Sequence, residues 1–63
     1  MKAALWQRVE ELRKNDPTLR RGQALFNALA EIDPAKANRI RGTDIDPSNS
    51  NSRIKAFLQE VEG

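Results

Sequence analysis

Apolar residues recur at the three- and four-residue spacing of an α-helix in four separate segments of the chain. The clearest stripe lies near the C terminus and consists of Ile54, Phe57, Leu58 and Val61. No segment alternates apolar and polar residues in the way that a half-buried strand does. The pattern therefore predicts helices over about residues 3–14, 20–32, 34–41 and 52–62.

Each of the three prolines follows an aspartate, and these pairs divide the chain into the four segments. An aspartate before a helix accepts hydrogen bonds from the free N–H groups of the first turn, and proline suits the first helical position. Gly42 follows the third segment and is expected to end it in a left-handed conformation. At least some of the three pairs should start helices: Asp16-Pro17, Asp33-Pro34 and Asp46-Pro47.

These segments predict an all-α fold, a small single-core bundle of three main helices and one short helix, in one domain over residues 1–63. Gly22 lies on the apolar side of the second helix, where it could let another helix approach closely. Residues 43–51 are rich in serine and asparagine and are expected to form a mobile loop, after which Asn51 or Ser52 caps the last helix. The core is predicted to consist of the large apolar residues of the stripes: Leu5, Trp6, Val9, Leu12, Leu19, Leu25, Phe26, Leu29, Ile32, Ile40, Ile54, Phe57, Leu58 and Val61.

The composition argues against several kinds of chemistry. The 63-residue chain has no cysteine and no histidine, so it lacks the groups that most often bind zinc or act as a general base. Its hydroxyl residues have no such base to activate them, and its three glycines are too far apart to form a phosphate-binding loop. We expect a protein that is not an enzyme and uses no cofactor.

The charge pattern says little about a partner. Charged residues make up 32% of the chain, are mixed in sign and sum to a net charge of only +2. No apolar run approaches the length of a membrane span, and the run that follows Met1 is too short for the core of a signal peptide. The expected location is therefore the cytoplasm, with no membrane partner.

The segment Asp44-Ile45-Asp46 has the opening pattern of a calcium-binding loop. Such a loop also requires a glycine at position six and a glutamate at position twelve. These positions hold Asn49 and Lys55. We therefore interpret the two aspartates as capping and turn-forming residues and predict no metal site.

A nucleic-acid interface is the alternative partner surface. The second and third helices could form a helix–turn–helix unit, in which the short helix and its approach carry the basic residues. The connection lacks the usual turn glycine, and the third helix spans only about two turns. Three aspartates, Asp33, Asp44 and Asp46, also surround it with negative charge. The basic residues of this alternative are Arg20, Arg21, Lys36, Arg39 and Arg41.

A polar stripe runs along the second helix, opposite its leucines. Its members, at spacings of three and four residues, are Arg20, Gln23, Asn27 and Glu31. Asparagine is a poor helix former at an exposed position. An ordinary solvent face is the simpler interpretation of the stripe, and the alternative is that Gln23 and Asn27 bind the Thr43–Asp46 loop or a partner. We predict that the stripe and the Gly42–Pro47 loop form one polar surface, which acts as an internal brace or as a recognition site. The candidate binding residues are Arg20, Gln23, Asn27, Arg41, Asp44 and Asp46.

Two stretches, Arg21–Leu29 and Ile40–Pro47, resemble a group of small uncharacterised bacterial and phage proteins. That group shares an Arg-x-Gly-Gln motif, an Asn-x-Leu motif, a Gly-Thr-Asp-x-Asp-Pro loop and a closing Phe-Leu helix. An aromatic residue often follows the last Asp-Pro pair in the group, whereas this chain has Ser48. The resemblance implies a bacterial or phage source and a stand-alone small protein, and it implies no mechanism.

The sequence as a whole predicts a small soluble accessory protein that acts through protein–protein interaction, with another protein or with a second copy of itself. The alternative is a weak nucleic-acid-binding protein that uses a basic helical face. Salt dependence separates the two, because phosphate contacts weaken steeply with added salt and an apolar-centred protein interface does not.

Overall fold

The computed structural model describes the backbone of residues 2–62 and their side chains, except those of Lys2, Asn49 and Glu62. Within this range the chain forms the helices α1 (Lys2–Asn15), α2 (Arg21–Ile32), α3 (Pro34–Ile40) and α4 (Ile54–Glu62). Two single 3-10 turns, Pro47–Asn49 and Asn51–Arg53, lie between α3 and α4. The described residues contain no strand and the helices pack together, which confirms the predicted all-α bundle.

The central element is α2, because it packs against α1, α3 and both 3-10 turns. Its buried residues spread around much of the helix and include three small ones, Gly22, Ala24 and Ala28. Small side chains let neighbouring backbones come close, since the distance between packed helices depends on the residues at their contact. This close packing brings the first half of the chain and the 3-10 turns together around one helix.

Most of the predicted core is confirmed. Leu5, Leu25, Leu29 and Phe57 are fully enclosed, and the other buried members of the predicted set are Val9, Phe26, Ile40 and Val61. The half-buried members, which pack against these residues, are Trp6, Leu12, Leu19, Ile54 and Leu58.

The prediction is wrong for Ile32, whose side chain is 37% exposed. Ile32 is the last residue of α2, and α3 begins only two residues later, at Pro34. Because the chain turns into α3 directly after Ile32, no neighbouring element fully covers this side chain. The core also includes three buried alanines, Ala24, Ala28 and Ala37. The prediction omitted them because it considered only large apolar residues.

Each Asp-Pro pair forms a local hydrogen-bonded structure, but only one of them starts an α-helix. The Asp33 carboxylate accepts a hydrogen bond from the Lys36 N–H at 3.1 Å and caps α3, as predicted. The Asp46 carboxylate caps the first 3-10 turn in the same way. The Asp16 carboxylate accepts from the N–H and the hydroxyl of Thr18, which forms a turn, and α2 begins only at Arg21.

The segment predicted as a loop over residues 43–51 is folded back onto α2. Pro47 is fully buried within it. The last helix begins at Ile54, and the second 3-10 turn leads into it without a side-chain cap at Ser50. Asn51 and Ser52, which were predicted to cap the last helix, both lie within the second 3-10 turn, and the Asn51 side chain binds Gly22 instead. The mobility of the segment stays a prediction.

The side-chain oxygen of Asn51 accepts a hydrogen bond from the backbone N–H of Gly22 at 3.1 Å. Gly22 lies in the first turn of α2, where N–H groups have no partner within the helix. Asn51 thus caps α2 from a position 29 residues away in the chain. This contact is a tertiary cap, because its two residues lie in distant segments of the chain.

The two internal glycines both meet a backbone requirement. At Gly22 a Cβ atom would collide with the carbonyl oxygen of Pro47, so the close neighbour is a 3-10 turn and not the predicted helix. Gly42 has a φ of 76°, which confirms the predicted left-handed conformation after α3. The two glycines let the chain leave α3 and return to the start of α2.

Candidate functional site

Gln23 and Asn27 form a hydrogen-bonded amide pair on the outer side of α2. The Gln23 Nε2 atom donates to the Asn27 Oδ1 atom at 2.8 Å, and both side chains are half-buried. Residues four positions apart are neighbours on a helix surface, so the helix itself aligns the two amides. The bond uses one donor and one acceptor, and each amide has further hydrogen-bonding capacity.

Arg20 and Gln23 line a shallow groove that reaches the first 3-10 turn through Ser48. The turn after α1 supplies the other wall, where Asp16 and Thr18 are bonded to each other. Arg20 is exposed at the entrance to α2. The structure therefore brings the first two members of the polar stripe together.

Arg41 reaches α2 from the end of α3. Its guanidinium carbon lies 5.5 Å from the centre of the Phe26 ring, a geometry in which a cation is attracted to the face of an aromatic ring. Arg41 therefore contacts α2, the helix that carries the amide pair. The contact is made through an aromatic ring that the prediction did not include.

Glu31, the last member of the stripe, is bound to α1. Its carboxylate accepts hydrogen bonds from Arg8 at 2.9 and 3.0 Å, and Arg8 also contacts Glu11 at 2.9 Å. The hydrogen bond from Arg8 lowers the pKa of Glu31, and the two glutamates raise the pKa of Arg8. The network fastens α1 to α2 at the surface.

Asp46 is buried and turned toward its own loop. Its carboxylate accepts from the Gly42 N–H at 2.8 Å, from the Ser48 N–H at 3.0 Å and from the Ser48 hydroxyl at 2.7 Å. Burial raises the pKa of this carboxyl, but the bonds from Gly42 and Ser48, helped by the charge of Arg53, outweigh it and lower the pKa. Asp46 therefore has the bracing role, because its oxygen atoms are used within the protein.

Asp44 lies apart from the stripe. It is exposed and lines a groove of about 360 Å³ between α3 and α4, together with Lys36, Arg39 and Glu60. Among the described side chains, no hydrogen bond joins Gln23 or Asn27 to the Gly42–Pro47 loop. The structure thus separates the predicted site into an α2 group, a loop brace and a distant carboxylate.

The sequence analysis did not predict the two residues that join the segment after α3 to α2. They are Pro47, whose carbonyl lies against Gly22, and Asn51, which caps α2. One residue in the sequence indicates this contact. Gly22 lies in the first turn of α2, where glycine lowers helix stability by about 1 kcal/mol relative to alanine, so its presence there suggests a close neighbour.

Over residues 2–62, as far as their side chains are described, no group of three or more acidic, histidine or cysteine residues is arranged to hold a metal ion. No helix in the same range has the length and the apolar character needed to cross a membrane. In comparisons with known proteins, no family model, no curated protein and no solved structure matched the chain. The function is therefore inferred from the geometry of the site.

Proposed function

We propose that this protein is a non-enzymatic accessory protein that acts by binding another protein. The binding surface is the α2 polar face, which we define as Arg20, Gln23, Asn27 and Arg41. Asp44 and Asp46, which the sequence placed in the same site, are left out because one lies in another groove and the other braces its loop.

The observation that carries the proposal is the Gln23–Asn27 amide pair. The bond between the two side chains holds each in one orientation before a partner arrives. An interface that orders flexible side chains loses about 0.5–1.5 kcal/mol for each one, so a pair already ordered binds at a smaller entropic cost. The remaining donors and acceptors suit a partner that presents polar backbone or amide groups.

The two arginines add positive charge to the α2 polar face. Arg41 is held over Phe26 and Arg20 is exposed at the entrance to α2. Arginine is enriched at protein interfaces because its guanidinium group bonds carboxylates in a fixed geometry and also stacks on flat groups. The α2 polar face therefore suits a protein surface with at least one carboxylate beside hydrogen-bonding groups.

The nucleic-acid alternative is less well supported by the geometry. Lys36 and Arg39, the basic residues of the short α3, share their groove with Asp44 and Glu60. Carboxylates beside basic side chains oppose the approach of phosphates, and charge distribution governs affinity for nucleic acid more than net charge does. A protein partner fits the mixed surface better.

The test uses Asn27→Ala, with Asn38→Ala as the matched control. Asn27 bonds only to Gln23 among the described side chains, and Asn38 is an exposed asparagine on α3. The immobilised protein is exposed to nuclease-treated lysate of its source organism, and mass spectrometry identifies what it retains. We expect Asn27→Ala to lose a partner that Asn38→Ala keeps, with unfolding free energy within about 0.5 kcal/mol of the parent.

Two results would contradict the proposal. A partner retained equally by both variants would show that the α2 polar face does not bind it. Loss of about 1 kcal/mol or more of stability in Asn27→Ala, without loss of the partner, would show that the pair is an internal brace. Sedimentation of the purified chain shows whether the partner is a second copy.

A further inference from the structure

The grooves on the described part of the surface differ in their charge. The groove between α3 and α4 has two basic and two acidic side chains, and the groove beside Arg20 has one of each. The groove beside Ile32 has one arginine and two glutamates. A further groove, between α1 and the start of α2, has three basic side chains against two acidic ones.

We call this last groove the Trp6 groove. It has a volume of about 890 Å³, and Trp6, Val9 and Pro17 supply its apolar surface. Trp6 is half-buried, and the guanidinium carbon of Arg21 lies 5.5 Å from the centre of its ring. The chain thus presents its only tryptophan in a groove, partly covered by a cation.

The positive charge of the groove comes from Arg13, Lys14 and Arg21. Among the described side chains, none of the three lies within ion-pair distance of a carboxylate. The two acidic residues of the groove are Glu10 and Glu11, and Glu11 contacts Arg8, which also binds Glu31. The three basic side chains thus leave the groove with a small excess of positive charge.

We propose that the Trp6 groove binds a short acidic peptide segment that inserts one apolar side chain beside Trp6. Charge complementarity selects the acidic segment, because the basic side chains of the groove attract carboxylates. The apolar surface selects the anchor, since tryptophan provides much of the binding energy where it is enclosed at an interface. This surface is separate from the α2 polar face, so the proposal holds or fails independently of the proposed function.

A single-stranded nucleic acid is the competing occupant, because bases stack on tryptophan and phosphates bind arginine. One feature of the groove favours the peptide. Arg21 lies over one face of the Trp6 ring, where a base would stack, whereas an apolar side chain can also pack against Val9 and Pro17.

The experiment is a fluorescence titration of the full chain, in which Trp6 is the only tryptophan and no tyrosine interferes. The probe is a synthetic peptide with one leucine flanked by glutamates. The comparison probes are the same peptide with serine for leucine, the same peptide with lysines for glutamates, and oligothymidine. We expect the first peptide to give a saturable change in Trp6 emission, the serine peptide to bind about tenfold more weakly or worse, and the lysine peptide to give no saturable change.

The double variant Arg13→Gln/Lys14→Gln should bind the acidic peptide about tenfold more weakly. The control is Arg39→Gln, at an exposed position of α3, which should leave the affinity for the peptide unchanged. Asn27→Ala should also leave it unchanged, which separates this site from the α2 polar face. Equal affinity for the leucine and serine peptides, tighter binding of oligothymidine, or no saturable change at millimolar peptide would each overturn the proposal. The lysine peptide tests the charge requirement even if the double variant does not fold.

Discussion

At the scale of single residues, Asp46 shows how one buried carboxylate organises a segment that is poor in apolar residues. Three donors from Gly42 and Ser48 surround it, at distances between 2.7 and 3.0 Å. Hydrogen bonds to a charged acceptor are stronger than those between neutral groups. The carboxylate thereby closes the loop that places Pro47 against α2.

Asp46 should make stability depend on pH. Because its folded pKa is lowered, its contribution is fully present above the unfolded pKa of about 3.9 and is lost as the pH falls through the lower folded pKa. We expect Asp46→Asn to lose about 1–3 kcal/mol at neutral pH, where an amide cannot accept all three bonds, and to approach the parent protein in strong acid.

Urea unfolding of both proteins over a series of pH values measures this difference. Asp44→Asn is the control, because Asp44 is exposed and its side chain makes no hydrogen bond among the described residues. A stability difference between the parent and Asp46→Asn that stays constant from neutral pH to strong acid would contradict the bracing role.

At the scale of elements, the contact between α2 and the first 3-10 turn determines how the second half of the chain packs. Gly22 lets the Pro47 carbonyl approach the helix, and Asn51 caps the helix beside it. Pro47 itself is fully buried. The glycine weakens α2 as an isolated helix and is compensated by this tertiary contact.

Gly22→Ala should therefore destabilise the protein, although alanine is the better helix former. Propensity alone favours alanine by about 1 kcal/mol, whereas forcing a methyl group against a backbone carbonyl typically costs about 1–3 kcal/mol or more. Urea unfolding should show a net loss, because the backbone atom that the methyl meets cannot rotate away. Gln59→Ala, at an exposed position of α4, is the control and should change stability by less than about 0.5 kcal/mol. A more stable Gly22→Ala would mean that the turn moves freely.

At the scale of the whole molecule, one small core supports the entire fold. The radius of gyration is 10.4 Å, the value expected of a compact domain of this length. A core of this size rarely supplies more than about 3–5 kcal/mol of net stability. Fully enclosed side chains such as Phe57 and Leu25 therefore each account for a large part of it.

Phe57→Ala should remove most of the stability of the molecule. Phe57 is completely buried, and replacing a buried phenylalanine by alanine typically costs about 3–5 kcal/mol. We expect the variant to lose most of its helical circular dichroism at room temperature. Leu58→Ala changes the half-buried neighbour of Phe57, so it should lose less stability, and the variant should remain folded. An unchanged melting temperature for Phe57→Ala would show that the core tolerates the loss.

The candidate site was only partly predictable from the sequence. The Gln23–Asn27 pair follows directly from helical spacing, because residues four positions apart meet on one face. The placement of Arg41, Asp44 and Asp46 depends on tertiary structure, in which Arg41 lies over Phe26, Asp44 lines another groove and Asp46 bonds to its own loop. A motif in the sequence shows which residues occur together and not which way their side chains face.

The sequence by itself determined the helices, because apolar periodicity, the Asp33 cap and the left-handed Gly42 are local properties of neighbouring residues. Tertiary structure decided the exposure of Ile32, the burial of Pro47 and the capping of α2 by Asn51. These outcomes depend on contacts between distant segments, whose geometry is set by the close approach that Gly22 permits. Interactions between neighbouring residues do not determine these outcomes, because the contacts that produce them form only when the whole chain has packed.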